Sequence, residues 1–183
     1  GGITLALSSG GSLDPQAVAF LSAASITDPT ITSAINTLVL DLKGYGIWSK
    51  MKAVYPIVGG TANSHKYNLI DPADTDAAFR LQFFGGINHD STGIEFNGTN
   101  GYANTFLAPR PVLTDQNTHL AYYCTTNVYD STLDMGSQDF GGGMSLYNYV
   151  NVFYTDQYNK STGNGRVYYN DSDTTGFIVG SRT

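Results

Sequence analysis

The chain has 183 residues, of which 41% are hydrophobic and only 13% charged, and its net charge is −6. With 9 Lys and Arg against 15 Asp and Glu and no basic run, it lacks the positive patch needed to neutralise phosphates, which excludes a nucleic-acid partner. No run approaches the roughly 18 apolar residues that span a bilayer.

Charged residues make up about 25% of an average domain, so this surface must be built from neutral polar groups. The chain supplies 20 Thr, 15 Ser, 14 Asn and 21 Gly, a mixture suited to short strands and tight turns.

Residues 1–13 read as an arm or linker. Ile3, Leu5 and Leu7 alternate as in a strand, and Ser8–Ser12 is Ser/Gly-rich. Residues 14–58 read as a short helical module. Asp14-Pro15 and Asp28-Pro29 each place a capping carboxylate before a proline at the first helical position. After Asp14, Ala17, Phe20, Leu21 and Ala24 fall on one face. After Asp28, Ile31, Ile35, Leu38, Val39, Leu42 and Tyr45 recur at helical spacing, and Gly44 and Gly46 end the run. Ile47, Trp48, Met51 and Val54 predict a third short helix stopped by Pro56. Helices this short need a partner surface. Trp48, Ile35, Leu38 and Leu42 are therefore assigned to packing or docking.

From residue 59 onward, short β-type runs alternate with turn clusters: 65–69, 79–84, 103–107, 118–126, 134–136, 145–154, 166–170 and 176–180. Turn signals every 8–15 residues predict an antiparallel sandwich or barrel over 59–183, and a mainly β chain. Ser145–Tyr154 reads as the longest run, with Leu146, Asn148, Val150 and Val152 on one face and Tyr147, Tyr149 and Phe153 on the other. In 118–126, Leu120, Tyr122 and Cys124 oppose Ala121 and Tyr123. Cys124 is the only cysteine, so no disulfide forms within the chain, and it reads as an inert thiol in a strand.

Catalytic signals are sparse. Glycoside hydrolysis needs two carboxyl groups about one sugar, and Glu95 is the only glutamate. The spacing of Asp130, Asp134 and Asp139 does not bring them together on a strand face. His65, His89 and His119 are isolated in sequence, with His89-Asp90 read as a loop. No nucleophile elbow or phosphate loop occurs. The chain is expected not to be an enzyme and to need no cofactor, with calcium the one candidate. Asp71, Asp74 and Asp76 form one cluster of hard oxygen donors and Asn170, Asp171 and Asp173 a second. The competing reading makes these turn caps. The surplus is aromatic, with 13 Tyr and 9 Phe. Tyr stacks on sugar rings and also fills protein interfaces. Tyr147, Tyr149 and Tyr168 are the candidate glycan-binding residues.

Five segments carry a family resemblance. They are DPQAVAFLSAASITDPTITSAINTLVLDLKGYGIWSKMKAVYPIVGGTANSHKYNLIDP (14–72), DAAFRL (76–81), NGTNGYANTFLAP (97–109), HLAYYCTTN (119–127) and GFIVGSRT (176–183). Together they resemble tail, fibre and other virion proteins of bacteriophages, especially those of Bacteroidetes-type hosts. The resemblance implies a helical preamble before a concanavalin A-like or laminin-G-like jelly-roll sandwich. In that group the segment like GFIVGSRT is followed by further strands. The sandwich is thus expected to be completed by another chain or by residues beyond those given. The implied location is the virion, with other virion proteins, copies of itself and host surface carbohydrate as partners. A carbohydrate-binding adhesin is the alternative, and a glycan hydrolase acting through Glu95 the third reading.

Overall fold

The computed structural model describes residues 12–113, 117–127, 132–139, 142–149, 152–159, 166–170 and 173–182. The predicted arm at 1–13 lies almost wholly outside the described residues. Val150, the second Asn/Asp cluster at Asp171, and Asp130 also lie outside them. Every strand pairing among the described residues is antiparallel, and the chain is mainly β. It divides into two compact units, residues 1–107 and 108–183. The first unit therefore takes in the segments from 59 to 107 together with the helices.

In the first unit both Asp-Pro signals start helices. The α1 helix spans Pro15–Ala23 and α2 spans Pro29–Gly44. Asp14 Oδ1 accepts from the Gln16 N–H at 3.0 Å, and Asp28 Oδ1 from the Ile31 N–H at 2.9 Å. Both helices end in the same way. Past α1, the Ile26 N–H reaches Leu21 O and the Ser25 N–H reaches Ser22 O. Past α2, the Ile47 N–H reaches Leu42 O and the Gly46 N–H reaches Lys43 O. This paired closure requires a left-handed residue. Gly46 fills that place after α2 with φ 69°, but Ser25 fills it after α1 with φ 56°.

The start of α1 is pinned to α2. Asn36 Oδ1 accepts from the Asp14 N–H at 2.7 Å, and Lys43 Nζ lies 2.8 and 2.7 Å from the two Asp14 oxygens. Burial opposes ionisation of Asp14. The Lys43 ammonium and the Gln16 N–H outweigh it and hold the carboxyl below its usual range. Between the helices lies a core of Ala17, Phe20, Leu21, Ala24, Ile26, Ile35 and Val39, closed by Tyr67 and Leu69.

The predicted third helix does not form. Trp48–Lys50 makes a single 3-10 turn, and the chain is extended from Met51. Asn68 sets that extended path. It is fully buried, accepts with Oδ1 from the Val54 and Ile70 N–H groups, and donates with Nδ2 to Lys52 O and Ala78 O. Backbone groups that a helix would have paired internally are thus satisfied by one side chain. The predicted strand at 65–69 is also replaced. A capped α-helical turn, α3 (Ala62–His65), ends on the first residue of that run, with Thr61 and Ser64 in a reciprocal capping box, and 66–69 form a turn and irregular backbone.

Two short ribbons complete the first unit. β1 (Gln82–Phe84) pairs with β4 (Tyr102–Asn104), and β2 (Ile87–Asp90) forms a hairpin with β3 (Gly93–Phe96). They are tied by the loop 97–101, where Asn97 Oδ1 accepts from the N–H groups of Thr99, Asn100 and Gly101. Gly101 approaches so closely that a Cβ there would lie 2.3 Å from Gly86 O.

The second unit opens with a helical turn, α4 (Pro109–Val112). β5 (Thr118–Cys124) then pairs with β10 (Gly176–Arg182). β6 (Thr132–Asp139), β7 (Gly142–Tyr149), β8 (Val152–Asn159) and β9 (Arg166–Asn170) form a four-stranded meander in chain order. β10 runs close to β7 and β8, and β5 close to β7. A bulge between Leu133 and Met135 frees Asp134 from the ladder, and the Tyr122 hydroxyl donates to its Oδ2 at 2.8 Å. Met144 and Leu146 of β7 are buried on one face of the meander.

Candidate binding face

The predicted run 145–154 is two strands, β7 and β8, and this changes which residues share a face. Within one strand, neighbours of the same parity point the same way. Across an antiparallel pair, directly opposed residues do. Tyr147 opposes Tyr154, Asn148 opposes Phe153, and Tyr149 opposes Val152. Tyr154 in turn opposes Tyr168 of β9, and Phe153 opposes Tyr169. Val152 and Tyr154 therefore join the Tyr147 face. Phe153 moves to the face of Leu146, opposite to its predicted side.

The outcome is a row of tyrosines across three strands. The ring centroids of Tyr147 and Tyr154 are 6.0 Å apart at 41°, and those of Tyr154 and Tyr168 are 6.2 Å apart at 48°. Tyr147 and Tyr154 are half-buried, while Tyr168 on the edge strand is 66% exposed. Each ring meets its neighbour across one rung of the ladder.

Two of the three predicted glycan-binding residues, Tyr147 and Tyr168, are brought into this row. Tyr149 has the same strand parity as Tyr147, but its side chain lies outside the described residues. Tyr154 was missed because an unbroken strand places it on the Leu146 face. No pair in 145–154 matches the dipeptides that signal a two-residue hairpin, so the break between the two strands carries no local signal.

The other candidates fall elsewhere. Asp74 Oδ2 lies 2.6 Å from Lys66 Nζ, and Asp76 Oδ1 lies 2.8 Å from Arg80. Asp71 Oδ1 accepts from the Ala73 N–H at 3.2 Å. These carboxylates thus serve ion pairs and a turn. Among the described residues, no group of three His, Cys, Asp or Glu side chains is placed to hold a metal ion. Asp173 likewise accepts from the N–H and hydroxyl of Thr175, and these bonds lower its carboxyl below the usual range.

Ile35 lies in the helical core, and Leu38 and Trp48 pack partly buried against it. Leu42 is half-buried on the same helix. Lys43 extends over the Trp48 ring, 5.4 Å from its centroid. Glu95 sits exposed on β3 in a shallow groove with Gly86, Ile87, Asn88, Phe96 and Asn97, and is the one ionisable group in that lining. Cys124 is half-buried on the inner side of β5. No helix among the described residues is long and apolar enough to cross a membrane.

His65 and His89, read as separate, meet. His89 lies in β2 and not in a loop, and its Nδ1 is 3.0 Å from His65 Nδ1. Their 24-residue separation carries no local signal.

Comparison with protein-family models, with curated proteins and with solved structures finds no match for this chain.

Proposed function

We propose that this chain is a non-catalytic building and binding component of a bacteriophage particle, in a tail, fibre or capsid decoration, and that its tyrosine row takes up sugars of the host surface. The virion assignment rests on the resemblance of residues 14–72 and the later segments to phage virion proteins. The binding assignment rests on one observation, the Tyr147–Tyr154–Tyr168 row with its exposed edge. A neutral polar surface suits a sugar ligand, whose hydroxyls find hydrogen-bond partners without any demand for charge. The two strand groups of the second unit are assigned, in the same reading, to a concanavalin A-like jelly-roll sandwich.

An array of bacterial surface glycans, probed with the wild-type chain and with a Tyr147→Ala/Tyr154→Ala/Tyr168→Ala variant, tests the binding half. Signals confined to the wild type support it, and equal signals refute it. Phage particles in which neither mass spectrometry nor cryo-EM finds this chain would refute the virion half and leave an adhesin. Turnover of a polysaccharide that Glu95→Gln abolishes would overturn the non-catalytic reading.

A further inference from the structure

His65 is 1% exposed and has both ring nitrogens engaged. Its Nε2 lies 3.2 Å from the Gly60 nitrogen and accepts that N–H. A neutral imidazole has one lone pair and one proton on nitrogen. The His65 proton therefore sits on Nδ1 and points at His89 Nδ1, 3.0 Å away. His89 must then accept with Nδ1 and carry its own proton on Nε2. One proton occupies the gap between the rings, and both rings are neutral.

A further proton has nowhere to go while this geometry lasts. On His89 Nδ1 it would face the His65 N–H head-on. On His65 Nε2 it would face the Gly60 N–H. The same accounting disfavours a metal ion between the rings, because coordination by His65 Nδ1 would force its proton onto Nε2, against Gly60.

We infer that the His65–His89 pair is a proton-sensitive latch that holds the β2–β3 hairpin to α3 at neutral pH and releases it on mild acidification. The surroundings fit this role. From β1, the Phe83 ring packs T-shaped against the His89 ring with centroids 4.5 Å apart, and it is apolar. From β2, Asp90 acts on His65 and favours its protonated form. Asp90 is already committed to the Thr92 N–H and hydroxyl at 2.7 and 2.6 Å. Burial first, and then the neighbouring His89, push the His65 imidazole below its ordinary value, and burial pushes His89 down as well. Depressed histidines stabilise the closed form above their ordinary value of 6.5. That stabilisation is lost as pH falls through the lowered values.

The test uses the full chain. Long-range proton–nitrogen NMR reads the two tautomers at neutral pH, and amide exchange, corrected for intrinsic rates, is compared at about pH 7.5 and about pH 5.5. The expected tautomer carries its proton on Nδ1 of His65 and on Nε2 of His89. Protection of residues 87–96 is expected to fall by about tenfold or more on acidification, while that of the α2 amides changes far less. In His89→Gln, which keeps an acceptor without the titration, the fall is expected to be clearly smaller. Equal protection at both pH values, an equal fall in both proteins, or the opposite His65 tautomer would overturn the latch.

Discussion

Asn68 shows how much one buried polar residue can organise. Its side chain makes four hydrogen bonds, two accepted and two donated, that fix the extended segment at 52–54 and the turn near Ala78. Replacing it by alanine strips partners from two N–H groups and two carbonyls. The Asn68→Ala variant should lose about 3 kcal/mol of stability, read from chemical denaturation. Ser25 presents the opposite case. It holds a left-handed backbone that glycine adopts without steric cost. Ser25→Gly should therefore raise stability by about 1 kcal/mol in the same assay. Asp14 is held ionised by Lys43. A lowered carboxyl value means that this contribution is present above the ordinary 3.8 and fades as pH drops through the lowered value. Lys43→Met should therefore flatten the acid limb of the stability profile.

At the scale of elements, the helices and the hairpins were legible to different degrees. Helix starts are local events, so Asp14-Pro15 and Asp28-Pro29 announced α1 and α2 within two residues each. The third helix failed because its apolar spacing, Ile47, Trp48, Met51 and Val54, does not distinguish a helix from a segment tethered by a distant side chain. That tether is Asn68, 14 residues beyond Val54. The parity of β8 failed for a related reason. Alternation states which residues share a face only within one strand, and a turn resets the count. The ribbons of the first unit depend on glycine at close approach. Gly101→Ala drives a methyl into the Gly86 carbonyl, and should cost about 2 kcal/mol or more while broadening the amide resonances of β1 and β4.

Over the whole molecule, the aromatic surplus visible in composition acquires a location only through strand register. Tyr147 and Tyr168 are 21 residues apart and meet through Tyr154, which neither composition nor local pattern singled out. The two sides of β9 differ in a way that gives the binding account an internal control. Tyr168 belongs to the row, and its neighbour Tyr169, 65% exposed, points to the opposite face. The most direct measurement is the affinity, by calorimetry, of a glycan bound by the wild-type chain for Tyr154→Ala and Tyr169→Ala variants that retain the native circular dichroism spectrum. The row predicts that Tyr154→Ala weakens binding about tenfold, which is about 1.4 kcal/mol, and that Tyr169→Ala leaves it unchanged. Wild-type affinity in Tyr154→Ala, or an equal loss in both variants, would contradict it.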